Sequence, residues 1–369
     1  MLLNLTILPG DGIGPEVTEQ AVLVLQTVAD GFGHQVELRN KPIGGAALTA
    51  ANDPLPTDTI QACLSSSAVL LGAVGSPAFD RNPGHLRPEA GLLRLRRELG
   101  AYANLRPALF FPALEDCSPL RPDVVRGTDM MIVRELLGGL YFGQPRSIEG
   151  ESGSRVAINT MRYGESEIER IARVAFDLAM KRKRTVLSVD KANVLECSRL
   201  WREVVTRVAK DYPEVKLAHQ YVDSAAMVLV QRPADFDVIL TENMFGDILS
   251  DQAGGVVGSL GLLASASIGG SVGLYEPVHG SAPDIAGKGI ANPLGAILSV
   301  AMMLRHSFHL EAEAACVEGA VSDVLAHGAR TADLAGKSHA TIATSEMGHR
   351  VVEAVKSASA RSRPSEKSA

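Results

Sequence analysis

The chain has 369 residues, 46% of them hydrophobic and 4% aromatic, with a mean hydropathy of +0.10. That is enough apolar material for one large domain or two ordinary ones, and too much for a disordered chain. A formal net charge of −6 argues against a general nucleic-acid binder, and apolar runs broken by glycine or charge well before about 18 residues argue against a membrane span.

The N-terminus, "MLLNLTILPGDG", has no basic n-region and no small-residue cleavage site. It reads as the first strand of a cytoplasmic protein, not as a signal peptide. The run "LTILPGDGIGPEV" (5–17) passes from strand through a glycine-rich turn into a helix. Gly10, Gly12 and Gly14, followed by Pro15, spell G-x-G-x-G-P, whereas the dinucleotide-binding fingerprint is G-x-G-x-x-G. Pro15 suits a first helical turn, where its missing N–H has no partner to lose. Val22, Leu25 and Val28 continue a helical stripe. "AVLLGAVG" (68–75) reads as a fully buried strand. In the helical run "PEAGLLRLRREL" (88–99), Glu89, Leu92 or Leu93, and Arg96 share a face, while Arg94 and Arg97 fit ordinary surface charge. Arg106 stands in "ANLRP" and Arg134 follows "DMMIV". Guanidinium forks suit carboxylates, so Arg96, Arg106 and Arg134 would make a local anion site in an acidic chain.

The clearest helix is "SEIERIARVAFDLAMKRKR" (166–184). It has a capping-box pattern at Ser166 and Glu169 and an apolar face of Ile168, Ile171, Ala172, Ala175 and Leu178. Lys181–Arg184 would complement the negative C-terminal end. Three units of strand, polar step and helix follow: "TVLSVDKANV", "KLAHQYVDSAAMVLV" and "FDVILTENMFGDILSDQ". Ligands of open α/β sheets bind beyond the carboxyl ends of strands. There the sequence gathers Asp190, Lys191, Asn193, Asp223, Glu242, Asn243, Asp247 and Asp251. Asp247 and Asp251 share a helix face and read equally as solvated acids or as part of a cation site. With Asp223 they form a carboxylate trio of the kind that holds Mg²⁺ or Mn²⁺. A strand-end lysine such as Lys191 is ordinarily just exposed; beside a cation it can act as a base. The long loop of "YEPVHGSAPDIAGKGIANP" (275–293) offers a stackable ring at His279, close backbone approach at Gly280, Ser281 and Ala282, and an acceptor for ribose hydroxyls at Asp284. Loops of this length are usually functional. Cys63, Cys117, Cys197 and Cys316 lack zinc spacing and read as reduced thiols. The polar tail 357–369 reads as frayed.

The motifs "LPGDGIGPEV", "RPEAGLLRLRREL", "YANLRP", "VRELLGGLYFG", "SVDKANVL", "HQYVDSAAM", "NMFGDILSDQAGGVVGSLGLLASAS" and "YEPVHGSAPDIAGKGIANP" follow one another along nearly the whole chain. On them the chain resembles the isocitrate/isopropylmalate family of β-decarboxylating dehydrogenases. The resemblance implies a two-domain α/β fold with a mixed sheet spanning both domains, not a Rossmann fold. Residues 1–101 plus 258–369 would bind the cofactor. Residues 102–257 would carry the substrate and dimer surfaces, with a clasp arm near 139–160. It further implies a small-molecule substrate and a homodimer, with no nucleic-acid or membrane partner.

The implied cofactors are NAD and Mg²⁺ or Mn²⁺, the metal held by Asp247, Asp251 and, across the interface, Asp223. Arg96, Arg106 and Arg134 would hold a malate-type substrate at the same metal-bound site as Asp223. Lys191, also across the interface, would be the base. Tyr141, which spacing did not single out, would deliver the proton to the enol. Cofactor contacts carried over by the resemblance are Ile13, Glu89, Asn193, Glu276, His279, Gly280, Ser281, Ala282, Asp284, Ile285 and Asn292; an acid at Asp284 favours NAD over NADP. Leu92 and Leu93 offer an apolar wall that suits an isopropyl group. The implied reaction is therefore oxidative decarboxylation of 3-isopropylmalate in leucine biosynthesis. Relatives acting on D-malate, tartrate or homoisocitrate are the alternative, and so is a non-catalytic regulatory subunit, against which the complete set of acids, lysine and arginines counts. Two departures from the family pattern are "GSPAFD" (75–80) in place of "GGPKW", and Ala264 in place of proline, expected to relax a turn.

Overall fold

The computed structural model describes residues 1–336 and 340–362. The chain divides into two compact units. One comprises Met1–Ala101, Phe111–Pro119 and the chain from Gly258 onward; the other comprises Tyr102–Phe110 and Leu120–Val257. Residues 111–119 thus belong to the first unit, whereas the sequence reading put them in the second.

The first unit opens with β1 (Leu2–Gly10), α1 (Gly14–Phe32), β2 (Gln35–Asn40), α2 (Gly44–Ala51), α3 (Thr57–Leu64), β3 (Ala68–Ala73) and α4 (Pro88–Glu98). The second unit runs through β4 (Ala103–Leu109), α5 (Pro122–Val125), β5 (Asp129–Glu135), β6 (Ser147–Glu149), β7 (Val156–Ile158), α6 (Glu165–Met180), β8 (Thr185–Asp190), α7 (Glu196–Ala209), β9 (Lys216–Tyr221), α8 (Val222–Gln231), β10 (Val238–Thr241) and α9 (Asn243–Val257). The chain then returns to the first unit with β11 (Ala264–Ile268), β12 (Gly273–Pro277), α10 (Leu294–His306), α11 (Glu311–Ala326) and α12 (Thr344–Ser362).

In the first unit the strand order is β2-β1-β3-β12-β11, parallel except for the β12–β11 pair. All of β3 is buried, as a continuous apolar run in a parallel sheet requires. Leu8, Val69, Leu71, Leu95 and Leu274 fill one core, each contributing about 1.5–3 kcal/mol by burial. α1 has proline in its first turn and buries Ala21, Val24, Leu25 and Val28, with Val22 only half-buried. Ala264 lies in no turn: it opens β11 opposite Pro277. The tail expected to be frayed is helical as far as Ser362, the end of α12, and residues 363–369 lie outside the described residues.

In the second unit the order is β4-β5-β10-β8-β9, with β4–β5 antiparallel and the rest parallel. α6 buries Ile168, Ile171, Ala172 and Ala175, with Leu178 half-buried. Its cap differs from the one read at Ser166 and Glu169. Gly164 N–H donates to the Glu167 carboxylate at 2.6 Å, because the cap lies two residues earlier than the sequence pattern suggests. Lys181 is the C-cap residue, and Arg182–Arg184 fall past the last turn. Arg182 donates to Asp129 and Asp237, and Arg184 to Glu214. In the region read as a clasp arm, β6 and β7 form an antiparallel hairpin that exposes Ile148 and Val156.

Candidate functional site

Parallel pairing sets Thr241 of β10 opposite Arg134 of β5. The chain turns at Glu242 and enters α9, so Asn243, Asp247, Ser250 and Asp251 fall on successive turns near that strand end. Arg134 is buried; its Nε and Nη2 donate to Asn243 Oδ1 at 3.0 and 2.8 Å, and its Nη1 pairs with Asp247 Oδ1. Arg106 on β4 donates from Nε to Asn104 Oδ1 at 2.7 Å and from Nη1 to Ser250 Oγ at 2.7 Å. The same Nη1 lies 3.3 Å from both Asp247 and Asp251. The Tyr141 hydroxyl donates to the other oxygen of Asp247 at 2.8 Å. Burial and the neighbouring carboxylate push its phenol up to about 12, so it keeps its proton at neutral pH. Burial also raises the Asp251 carboxyl; Arg106 opposes the shift and Asp247 adds to it.

Lys191 follows β8 and Asp223 sits in the first turn of α8, with Nζ donating to Oδ1 at 2.6 Å. The lysine draws the Asp223 carboxyl below its usual range. Asn193 is exposed in the turn beyond Lys191. Asp223 therefore stands with the lysine, and Asp247 and Asp251 with the arginines. Among the described residues of one chain, no three metal-binding side chains come together.

In the first unit the opening turn and the late loop form one surface. Ile13 N–H donates to Ser281 O at 2.8 Å, and a Cβ on Gly12, at φ 58°, would land on that carbonyl oxygen. Ile13 itself is buried. Asp11 takes N–H donors from Gly45, Ala46 and Gly75 at 2.8, 2.8 and 2.9 Å, fastening the turn to its neighbours. His279 Nδ1 lies 3.0 Å from Gly280 O, and its Nε2 is enclosed without a partner. Burial lowers its pKa, so the ring is neutral. Gly280 faces open space, Ala282 has φ 38°, Asp284 is exposed and Ile285 half-buried. Asn292 donates to Asp333 and accepts from Leu294 N–H, so its side chain is engaged within the fold.

Arg96 is buried against Glu276 (Nη2 to Oε1, 2.7 Å), with its Nε unpartnered. The expected substrate arginine and an expected cofactor contact are thus paired with each other. Glu89 is exposed in the first turn of α4, and Leu93 is half-buried. Leu92 packs on the core, so the apolar wall read at "GLL" gives part of its surface to the fold. Arg94, read as plain surface charge, forks onto Asp53 at 3.1 and 3.2 Å.

Over residues 4–351 the chain matches isocitrate/isopropylmalate dehydrogenase. The chain belongs to this family. It is 56% identical to the 3-isopropylmalate dehydrogenase of Oleidesulfovibrio alaskensis, over 96% of this chain and 100% of that one. It is 57% identical to that of Priestia megaterium, over 92% of each. Among solved structures, the isocitrate dehydrogenase of Methylococcus capsulatus superposes with a TM-score of 0.86 at 36% identity, covering 96% of this chain and 99% of that one. As a family member the chain is a decarboxylating oxidoreductase with the family's α/β fold. No helix among the described residues is long and apolar enough to cross a membrane.

The residues present fit the groups that this family implies. Asp247 and Asp251 offer the hard oxygens a divalent cation takes. The enclosed Nε2 of His279 beside the open face of Gly280 offers a nucleotide a polar anchor and room for close approach. Sequence reasoning missed Asn104, Ser250 and Asp11, and read Asn243 only as one polar residue among many. Asn104 had a signal, since residues two apart on a strand share a face and Arg106 follows it. Asp11 had none: its partners stand 34, 35 and 64 residues away.

Proposed function

We propose that this family member oxidises and decarboxylates 3-isopropylmalate with NAD and Mg²⁺ or Mn²⁺, in leucine biosynthesis. The observation that carries the reading is the convergence of Arg106, Arg134 and Tyr141 on Asp247 and Asp251, together with a complete lysine–aspartate pair. Curated relatives of like length bear the name 3-isopropylmalate dehydrogenase.

In this reading Arg106 and Arg134 bind substrate carboxylates bidentately, with Arg96 as the third arginine. Lys191 takes the C2 hydroxyl proton, and Tyr141, protonated at neutral pH, returns one to the enol carbon after CO₂ leaves. The bound nicotinamide supplies the hydride acceptor, and the cation supplies the Lewis acid that stabilises the enolate. The exposed Asp284 carboxylate favours the free 2′-hydroxyl of NAD over a 2′-phosphate.

A homodimer supports the site: Asp223 and Lys191 of one subunit would complete the Asp247–Asp251 cluster of the other. Met227 and Val230 on α8 and Ile248 on α9 are exposed apolar side chains suited to that contact. The test is NADH formation from 3-isopropylmalate with Mn²⁺ beside D-malate, tartrate and homoisocitrate. Preference for one of the last three overturns the substrate; inactivity of the homomer with all four favours a regulatory subunit.

A further inference from the structure

The side-chain amide of Asn243 lies where the arginine and the tyrosine of the proposed site meet. It is fully buried. Its Oδ1 accepts both Nε–H and Nη2–H of Arg134. Its Nδ2 donates to the carbonyls of Leu136 and Gly138, at 3.1 and 3.0 Å. Those residues begin the turn that leads to Tyr141. The turn is held from its other side too, since the Glu135 carboxylate accepts the N–H groups of Leu137 and Gly138 at 3.1 and 2.7 Å. One helical turn beyond Asn243, Asp247 takes Arg134 on one oxygen and the Tyr141 hydroxyl on the other. Asn243, Arg134, Asp247, Tyr141 and the 136–138 turn therefore close a ring.

We propose that Asn243 is a positioning residue: its amide locks the Arg134 fork and the turn carrying Tyr141 into one register, so that carboxylate binding and proton delivery are aligned together. The proposal rests on the roles given above to Arg134 and Tyr141. The residue type matters because an amide is the smallest side chain that both accepts from a guanidinium and donates to two carbonyls. Aspartate in its place keeps the acceptor and loses both donors. Catalysis is sensitive to such a loss, since a misplacement of about 1 Å costs about 10²-fold.

The test is Asn243→Asp against the wild type, read in two ways. With 3-isopropylmalate, kcat should fall about 10–100-fold while KM stays within about 3-fold, because Arg134 keeps its partner and the tyrosine turn does not. Independently of any substrate, proteins labelled with ring-carbon tyrosine are compared by NMR at neutral pH, with Tyr141→Phe giving the assignment. The wild-type Tyr141 ring signal should stand at one sharp position away from that of a free tyrosine, and should broaden or move toward the free position in Asn243→Asp, because the turn that carries it loses both amide donors. An unmoved Tyr141 signal together with an unchanged kcat overturns the proposal. Should the variant fail to fold, the wild type still decides: an Arg134 Nε–H that exchanges as fast as a surface arginine's means there is no lock. Failure of the wild type to turn over 3-isopropylmalate would sink the substrate reading alone, because the ring-signal and exchange measurements need no substrate.

Discussion

The two units build their ligand-facing regions from different material. In the second unit, charged side chains hold one another: two buried arginines, each oriented by a neutral amide or hydroxyl, lie against two aspartates, and a tyrosine hydroxyl donates to one of these. In the first unit the surface is mostly backbone and small residues, with the Gly12 turn pressed against Ser281 and the loop beyond it bearing one neutral histidine. The difference follows from what each would meet. A small, multiply charged substrate needs fixed countercharges, whose desolvation must be offset by hydrogen bonds. A large nucleotide needs shape and close approach. Substitutions in the second unit should therefore act on chemistry, and those in the first on affinity and stability.

The largest expected effect breaks the chemistry of the second unit while leaving the first unit's ligand in place. Lys191→Ala should lower kcat by at least about 10³-fold with NAD affinity kept, measured by steady-state kinetics and calorimetry. Asp247→Asn should be similarly inactive. Mixing the two variants after dissociation should restore about a quarter of wild-type activity, because half of the dimers are mixed and each of these holds one complete site. No recovery would place Lys191 and Asp247 in the same subunit's site.

Arg134→Lys should come next, with kcat/KM down about 10²-fold, since an ammonium cannot fork between Asn243 and a carboxylate. In the first unit, Asp11→Asn should cost about 2 kcal/mol, seen as a lower Tm, because a carboxylate that takes three backbone donors is replaced by a single amide oxygen. Turnover at saturating cofactor should change little; a large kcat loss would erase the contrast between the units.

His279→Gln should have the smallest effect and sharpen the comparison by pH. Burial lowers the folded pKa of His279, so the unfolded chain binds its proton more readily. Stability from this group is present above the ordinary histidine value and falls as pH drops below it. The variant should flatten the Tm-against-pH curve on the acid side of about 6.5. An unchanged slope would mean that the ring charges freely in the fold.

Much of this architecture was legible in the sequence, because period and punctuation are local. The continuous apolar run of β3, the proline opening α1 and the strand–helix alternation after residue 184 each carry their own signal. The acids, the arginines, Lys191 and the late loop each carried a local signal, whereas Tyr141 came from the resemblance alone. What stayed illegible was the way charges are held. Nothing near Arg134 in sequence names Asn243, 109 residues away, and Arg96 gave no hint that it would lie against Glu276. The cap of α6 shifted for a related reason: a backbone N–H at glycine can take the N3 glutamate, which is half of a capping box, where side-chain patterns place the cap elsewhere.

The junction of Ile13 and Ser281 has a consequence for how the chain is made. β1 and α1 leave the ribosome well before their partners, since the turn between them is completed by a residue 268 positions later, β3 must wait for β12, and Gly31 packs on Ser359. The second unit is almost one continuous stretch and can fold as soon as it has emerged. The first unit must remain unfinished until β12 and the helices after it have emerged, with the apolar β3 lacking its β12 neighbour meanwhile. Such long-range closure is slow, so the half of the molecule with the blander surface chemistry is the one whose folding waits longest on distant chain.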